Sequence, residues 1–184
     1  ITIFIEESVQ SFVPQGMRFF DGTDVLAVTG FDQALLNNST FLVESRGVGT
    51  TDTAGRQYLF ASADYVNGIN GSWAVGVENG VAFFDLLGNE GIVFSDRNLE
   101  TGEFTQIGII LDPLSGDLKL LVNGDVSATA TVNVTNFDFG TEFQVGGLLD
   151  TSGTGNGVRD GFTGALDEVI VTGNFAPKTD LDVL

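Results

Sequence analysis

The stretch FTQIGIILDPLSGDLKLLVNGDVSA, Phe104 to Ala128, settles the class of this chain. Apolar and polar residues alternate through TQIGIIL (Thr105 to Leu111) and DLKLLVNG (Asp117 to Gly124), and again through VSATATVNV (Val126 to Val134). A period of two is the signature of strands with one buried face. The residues between them are turn formers, Pro113-Leu114-Ser115-Gly116 and Asn123-Gly124-Asp125. Asn-Gly between two alternating runs is the strongest short hairpin signal, because both central residues of that turn need a positive φ. The segment therefore reads as a three-stranded antiparallel meander.

The same period continues outward in both directions. ITIFI (Ile1 to Ile5), SWAVGV (Ser72 to Val77), VAFFDLL (Val81 to Leu87), GIVFS (Gly91 to Ser95), EFQVGG (Glu142 to Gly147) and EVIVTG (Glu168 to Gly173) all read as strands, and Asn79-Gly80 marks a second tight hairpin. Helix signal is confined to FDQALLNN (Phe31 to Asn38), enough for one short turn. Strands at roughly 8–12 residue spacing without intervening helices predict an all-β fold, an antiparallel two-sheet β-sandwich. The longest turn-rich stretches, Gly47 to Gln57, Asp64 to Ser72 and Leu149 to Gly161, are expected to be loops.

Composition narrows the function classes. The chain has 184 residues, 42% of them hydrophobic, and a formal charge of -18 from 25 Asp plus Glu against 7 Lys plus Arg. That charge repels nucleic acid and anionic membranes and favours divalent cations. Most of the 16 Phe alternate with polar neighbours and are expected in the core. With no Cys and no His there is no disulfide, thiol nucleophile, Ser-His-Asp triad or histidine metal site. Lack of disulfides points to a prokaryotic source. No apolar run reaches the ~18 residues of a membrane span. The chain opens on Ile1 rather than Met and shows no signal peptide, which points to processing or trimming.

With the strands placed, MRFFDGTDVLAV (Met17 to Val28), the hairpin of Ser72 to Phe84, the meander of Phe104 to Ala128, FQVGG and GFTGALDEVIV follow one another as in laminin-G-like, concanavalin-A-like jelly-roll domains. The resemblance covers about Met17 to Thr172. It implies an extracellular or cell-surface module that binds a glycan or a cell-surface protein, with calcium as the cofactor. Residues 17–184 are then the sandwich and residues 1–16 an added strand. That apolar strand either completes its own sheet or, through residues 1–15, is donated to a neighbour in self-assembly, which would make the chain a subunit of a fibre or matrix. Asp21-Gly22-Thr23-Asp24 reads as an Asx-type turn into the first strand of the motif.

The resemblance implies a calcium site at one rim, with Asp160, Asn156 and Asp150 before the last strands and Asp64 and Asn70 before the central hairpin. Ligand-binding candidates are the aromatics Tyr65 and Trp73, with Tyr58 beside them, and Arg46, Arg56 and Arg159 in the long loops; the tyrosines are expected at the surface, whereas Trp73 begins a strand and reads either as an exposed platform or as core. If those loops share a rim, the arginines would form a cationic spot. Sequons begin at Asn37, Asn38, Asn70 and Asn133.

The same sandwich hosts glycosidases. A retaining glycosidase sets two carboxyl groups about 5 Å apart, in this superfamily on a Glu-x-Asp-x-x-Glu strand. Here Asp167 and Glu168 are adjacent, on opposite faces of a regular strand, and Ala165 stands where the first Glu belongs. The expectation is a binding module rather than an enzyme, with Phe162, Leu166 and Val169 filling the core.

Overall fold

A computed structural model describes residues 2–6, 18–50, 55–88, 91–99, 102–150 and 157–175, with side chains except in 2–6 and 46–50. In chain order the elements are β1 (Thr2–Glu6), β2 (Arg18–Asp21), β3 (Leu26–Thr29), α1 (Gln33–Asn38), β4 (Phe41–Thr50) and β5 (Arg56–Ser62). A 3-10 turn (Ala63–Asn67) precedes β6 (Trp73–Glu78), β7 (Val81–Leu86), β8 (Val93–Asn98), β9 (Phe104–Leu111), β10 (Asp117–Val122) and β11 (Asp125–Thr131). The chain closes with β12 (Glu142–Val145), β13 (Leu148–Asp150), β14 (Gly157–Arg159), β15 (Thr163–Leu166) and β16 (Glu168–Thr172).

The meander forms as its alternation dictates. β9, β10 and β11 pair antiparallel in sequence order. Asn123 and Gly124 turn the second hairpin at φ +55° and +79°, and Asn79 and Gly80 repeat this between β6 and β7 at +49° and +83°. The inward row Ile107, Ile109, Leu111, Leu118, Leu120 and Val122 is buried in the main core. These strands belong to an eight-stranded sheet of order β1-β16-β4-β9-β10-β11, with β15 and β2 continuing alongside β4. A six-stranded sheet, β3-β12-β5-β6-β7-β8, faces it. Trp73, Phe41, Phe60, Phe84, Phe139, Phe143 and Phe162 fill the space between, all fully buried.

The C-terminal stretch resolves into two strands, because its core residues cannot all face inward on one. Phe162, Leu166 and Val169 are each completely buried, as expected from the sequence. Leu166 and Val169 are three apart, however, whereas a regular strand brings residues two apart to the same face. The chain takes up the extra residue at Asp167, the break between β15 and β16. β15 then pairs β2 and the far end of β4, while β16 pairs the near end of β4 on one side and β1, in parallel, on the other.

Tertiary pairing also overrides part of the expected loops. Gly47 to Gln57 reads as a turn-rich loop, yet β4 runs on to Thr50 and β5 starts at Arg56. A register shift between Ser45 and Val48 lets this glycine-rich segment stay paired with β9 and β15. The ends of Leu149 to Gly161 pair with each other as β13 and β14. The stretch Asp64 to Ser72 begins inside the 3-10 turn. The short helix expected at Phe31 to Asn38 is α1, N-capped by Asp32, whose carboxylate accepts the Leu35 N–H at 3.0 Å. Asp21 closes its Asx turn by accepting the Thr23 N–H at 2.9 Å and the Thr23 hydroxyl at 2.6 Å.

Asp138 ties α1 to the sandwich. Its Oδ1 accepts Gln33 Nε2 at 2.6 Å, Asn37 Nδ2 at 3.0 Å and the Gly140 N–H at 3.0 Å. Partial burial raises its pKa, but the hydrogen bonds from Asn37, Gly140 and Gln33 outweigh it and hold the carboxyl below its ordinary value. A depressed carboxylate stabilises the fold above the unfolded pKa of about 3.9 and loses that contribution as pH falls through the folded value. Asp138→Asn is expected to lower the melting temperature at pH 7 by roughly 2–4 °C, about 1 kcal/mol for a solvent-facing group. The gap from wild type should close below about pH 4; a gap that persists undiminished at pH 3 would refute the assignment.

Candidate ligand-binding faces

Outside the main core, the six-stranded sheet carries a second apolar cluster on its outer face, Tyr58, Ala61, Tyr65, Ala74, Phe83 and Leu148. Strand register builds it: Tyr58 lies opposite Gly76, and Gly76 opposite Phe83. A side chain at Gly76 would sit 2.7 Å from the Phe83 ring and 2.2 Å from the Gln57 carbonyl, so glycine lets the rings close together. Tyr58 meets Phe83 edge-on at 5.7 Å and Tyr65 at 5.5 Å. The 3-10 turn carries Tyr65 over the sheet, and its hydroxyl donates to Asp85 Oδ2 at 2.5 Å. Burial, with Asp85 and Tyr58 as partners, pushes the Tyr65 phenol well above its ordinary pKa. Arg56 lies over Phe83 at 5.0 Å and binds Glu78 at 2.8 Å. Burial disfavours its charge, but hydrogen bonds to Glu78 and Tyr58 outweigh that and hold the guanidinium protonated.

The β13–β14 hairpin borders this cluster through Leu148 and through the Asp160 carbonyl, which accepts the Tyr58 N–H at 3.0 Å. The structure thus brings Arg56, Tyr65, Asp64, Asp150, Arg159 and Asp160 to one side of the six-stranded sheet. It does not bring Arg46 there. Arg46 is on β4 in the other sheet, opposite Glu168, so the expected cationic spot does not form from the arginines together. Each arginine with a described side chain also has a carboxylate nearby: Arg18–Asp24 at 3.9 Å, Arg56–Glu78 at 2.8 Å, Arg97–Asp125 at 3.1 Å and Arg159–Asp150 at 3.6 Å.

The aromatic expectation is corrected for the tyrosines, and Trp73 takes the core alternative. Trp73 is 0%, Tyr58 5% and Tyr65 8% exposed. Trp73 faces the core, with its Nε1–H bonded to the Phe139 carbonyl at 3.1 Å. The tyrosines are sealed by the 3-10 turn and the hairpin that the sequence presents as open loops. None of these rings offers a face to a ligand.

Among the described residues, no group of three or more Asp or Glu side chains converges. Asp150 is held by Arg159, and Asp64 and Asn70 lie exposed around the 3-10 turn. Asp160 sits at φ +46°. Asn156 lies outside the described residues. The sequons differ in freedom. Asn37 uses both ends of its amide, Oδ1 for the Phe139 N–H at 2.7 Å and Nδ2 for Asp138. Asn38 Nδ2 donates to the Ala34 carbonyl at 2.7 Å. Asn133 is exposed and accepts from the Thr135 N–H and hydroxyl. Asn70 is exposed beside the buried Gly71.

Among the described residues, the rings most open to solvent are phenylalanines: Phe19 at 71%, Phe104 at 56% and Phe94 at 42% exposed. One signal for them is local. Phe19 and Phe20 are consecutive on β2, and alternation must turn one ring outward. Phe20 takes the core at 3% exposed. Also on the outer face of the eight-stranded sheet, Glu44 is 4% exposed and accepts from Gln106 Nε2. Gly108 makes room beside it, since a Cβ there would lie 2.6 Å from Glu44 Cβ.

No protein-family model matches the chain, and no curated protein matches it by sequence. Similarity is found among solved structures. The CBM40 domain of the Ruminococcus gnavus IT-sialidase superposes with a TM-score of 0.67 at 13% identity, covering 90% of this chain and 94% of that one. Mouse laminin alpha1 domains LG4-5 give 0.60 at 15% identity, covering 90% of this chain and 44% of theirs. A heptameric SAP-like pentraxin from Limulus polyphemus gives 0.54 at 12% identity, covering 85% of this chain and 68% of its own. At such identities the likeness is one of fold: the chain folds as a laminin-G-like, concanavalin-A-like jelly roll.

Proposed function

We propose that this domain is an extracellular, non-catalytic module that binds carbohydrate. The observation that carries the reading is the set of phenyl rings held in water on regular strands, Phe19, Phe94 and Phe104. A sugar ring presents a C–H face that packs on an aromatic ring while its hydroxyls stay in water, and a strand holds the platform rigid. The CBM40 neighbour, also solved with alpha2,3 sialyllactose, supports a glycan as the ligand class for this fold.

Sialylated glycans themselves fit this chain poorly. Its formal charge is -18, and its described arginines are engaged by carboxylates. Neutral sugars meet no such repulsion. Turnover has no support in the carboxylates of the last strands, because Asp167 sits at the break before β16 and Ala165 is buried where a catalytic acid would be needed.

A glycan array followed by calorimetry tests the proposal, with each titration run in calcium and in chelator. Saturable binding of neutral glycans, with no release of shorter sugars on prolonged incubation, is the expected result. The calcium arm decides whether Asp64, Asp150 and Asp160 take part. Failure to bind any glycan in either arm would overturn the reading, and hydrolysis would overturn its non-catalytic half.

A further inference from the structure

The outer face of the eight-stranded sheet carries a cavity of about 420 Å³ over β10 and β11. Asp117, Leu118 and Lys119 line it from β10, and Thr129, Ala130 and Thr131 from β11. Register sets them in three cross-strand pairs, Asp117–Thr131, Leu118–Ala130 and Lys119–Thr129. The Leu118 side chain is buried in the main core. Alternation therefore turns the other two pairs outward, where Asp117, Thr129 and Thr131 are exposed and Lys119 is half-buried. The surface that a ligand meets is these four polar side chains, with the Leu118–Ala130 pair beneath and between them. Cross-strand partners stand about 5 Å apart and residues two along a strand about 7 Å apart, so the four mark the corners of an area the size of one sugar ring.

Two further features distinguish the cavity. Each described arginine is engaged by a carboxylate, whereas Lys119 is the one described cation without such a partner. Among the described residues, Asp117, Thr129 and Thr131 likewise have no side-chain partner, so all four corners are free to bond a ligand. The charges of Asp117 and Lys119 also cancel, in a chain whose formal charge is -18.

We propose that this cavity binds one ring of a neutral sugar. The proposal rests on the carbohydrate-binding reading and gives it a place apart from the exposed phenyl rings. Lys119 only donates hydrogen bonds, ionised Asp117 only accepts them, and each threonine hydroxyl does both. A carboxylate ligand could use Lys119 but would meet Asp117, and a cationic ligand would meet the reverse. A ring of hydroxyls, each donor and acceptor, uses all four corners, and the threonine methyls offer contact to its C–H groups. The volume lies at the lower end of the range for ligand pockets, about 300–1,000 Å³, which suits one ring rather than a long chain. β11 is the last strand of its sheet, so the rest of the glycan leaves over that edge.

Titration of isotope-labelled protein with the methyl glycosides of glucose, galactose, mannose and N-acetylglucosamine tests the proposal by NMR. At least one should shift the amide signals of residues 117–119 and 129–131, and extending that sugar to a disaccharide should change affinity only a few-fold. Thr129→Val and Thr131→Val keep the side-chain shape and should each weaken binding about three- to tenfold, and Lys119→Met by roughly tenfold or more. Asp117→Asn leaves the Lys119 charge unbalanced. It should weaken the neutral glycosides and admit methyl glucuronide, which the wild type rejects, a reversal that a merely structural role would not produce. Thermal melts within a few degrees of wild type show that each variant folds.

Glycoside binding that all four substitutions leave unchanged would overturn the cavity and leave the carbohydrate reading standing. Preference of the wild type for methyl glucuronide would overturn the neutral ligand class. Binding of longer glycans on the array, but of none of these glycosides, would overturn the single-ring site. Binding of no glycan at all would remove the carbohydrate reading, and the site with it.

Discussion

Trp73→Ala should lower the melting temperature by about 6–20 °C without a specific effect on ligand affinity. Trp73 is the largest fully buried side chain, in contact with Phe139 at 5.0 Å between ring centres, and its Nε1–H is bonded to the Phe139 carbonyl. Truncating such a residue removes transfer energy, opens a cavity and leaves that carbonyl without its donor, about 3–5 kcal/mol in all. In a domain of this length each kcal/mol moves the melting temperature by about 2–4 °C. Thermal melts measure the first effect, and calorimetry well below the transition measures affinity. Melting unchanged with ligand binding abolished would show that the indole is a surface platform after all.

The second large effect is expected at Gly71. Its φ is +91°, and a Cβ there would lie 1.7 Å from the Asn136 carbonyl oxygen and 2.5 Å from its carbon. The chain cannot shift to relieve this, because the Gly71 N–H is bonded to the Leu87 carbonyl at 2.8 Å and its own carbonyl accepts the Asp138 N–H at 3.2 Å. Gly71→Ala should therefore cost about 2–4 kcal/mol, or roughly 4–16 °C. Gly30 supplies the control. It has φ +88° with nothing within 4 Å of a built Cβ, so Gly30→Ala carries only the backbone term of about 1–2 kcal/mol. Equal losses at the two positions would rule out the clash with Asn136.

Strands and hairpins were legible because their causes are local. Alternation in Thr105 to Leu111 and Asp117 to Val122, and Asn-Gly at 79–80 and 123–124, act through neighbouring residues, and β6, β7, β9, β10 and β11 follow them closely. Even the break at Asp167 is implicit in the spacing of Leu166 and Val169, once both are assigned to the core. The long β4 was not legible. Its glycines read as a turn, and only pairing with β9 and β15 holds them extended.

The candidate site divides along the same line. Residue type marked Tyr58, Tyr65 and Trp73 as sugar platforms, but whether a ring meets water depends on what lies over its sheet face. A 3-10 turn and a hairpin distant in sequence cover the tyrosines, the second sheet covers Trp73, and nothing described covers Phe19 or Phe104. Local alternation could show that one of Phe19 and Phe20 must face out. It could not show that Phe19 stands in register with Phe104, because that register passes through β15 and β4, and pairing between strands so far apart in sequence is set only when the whole sheet assembles.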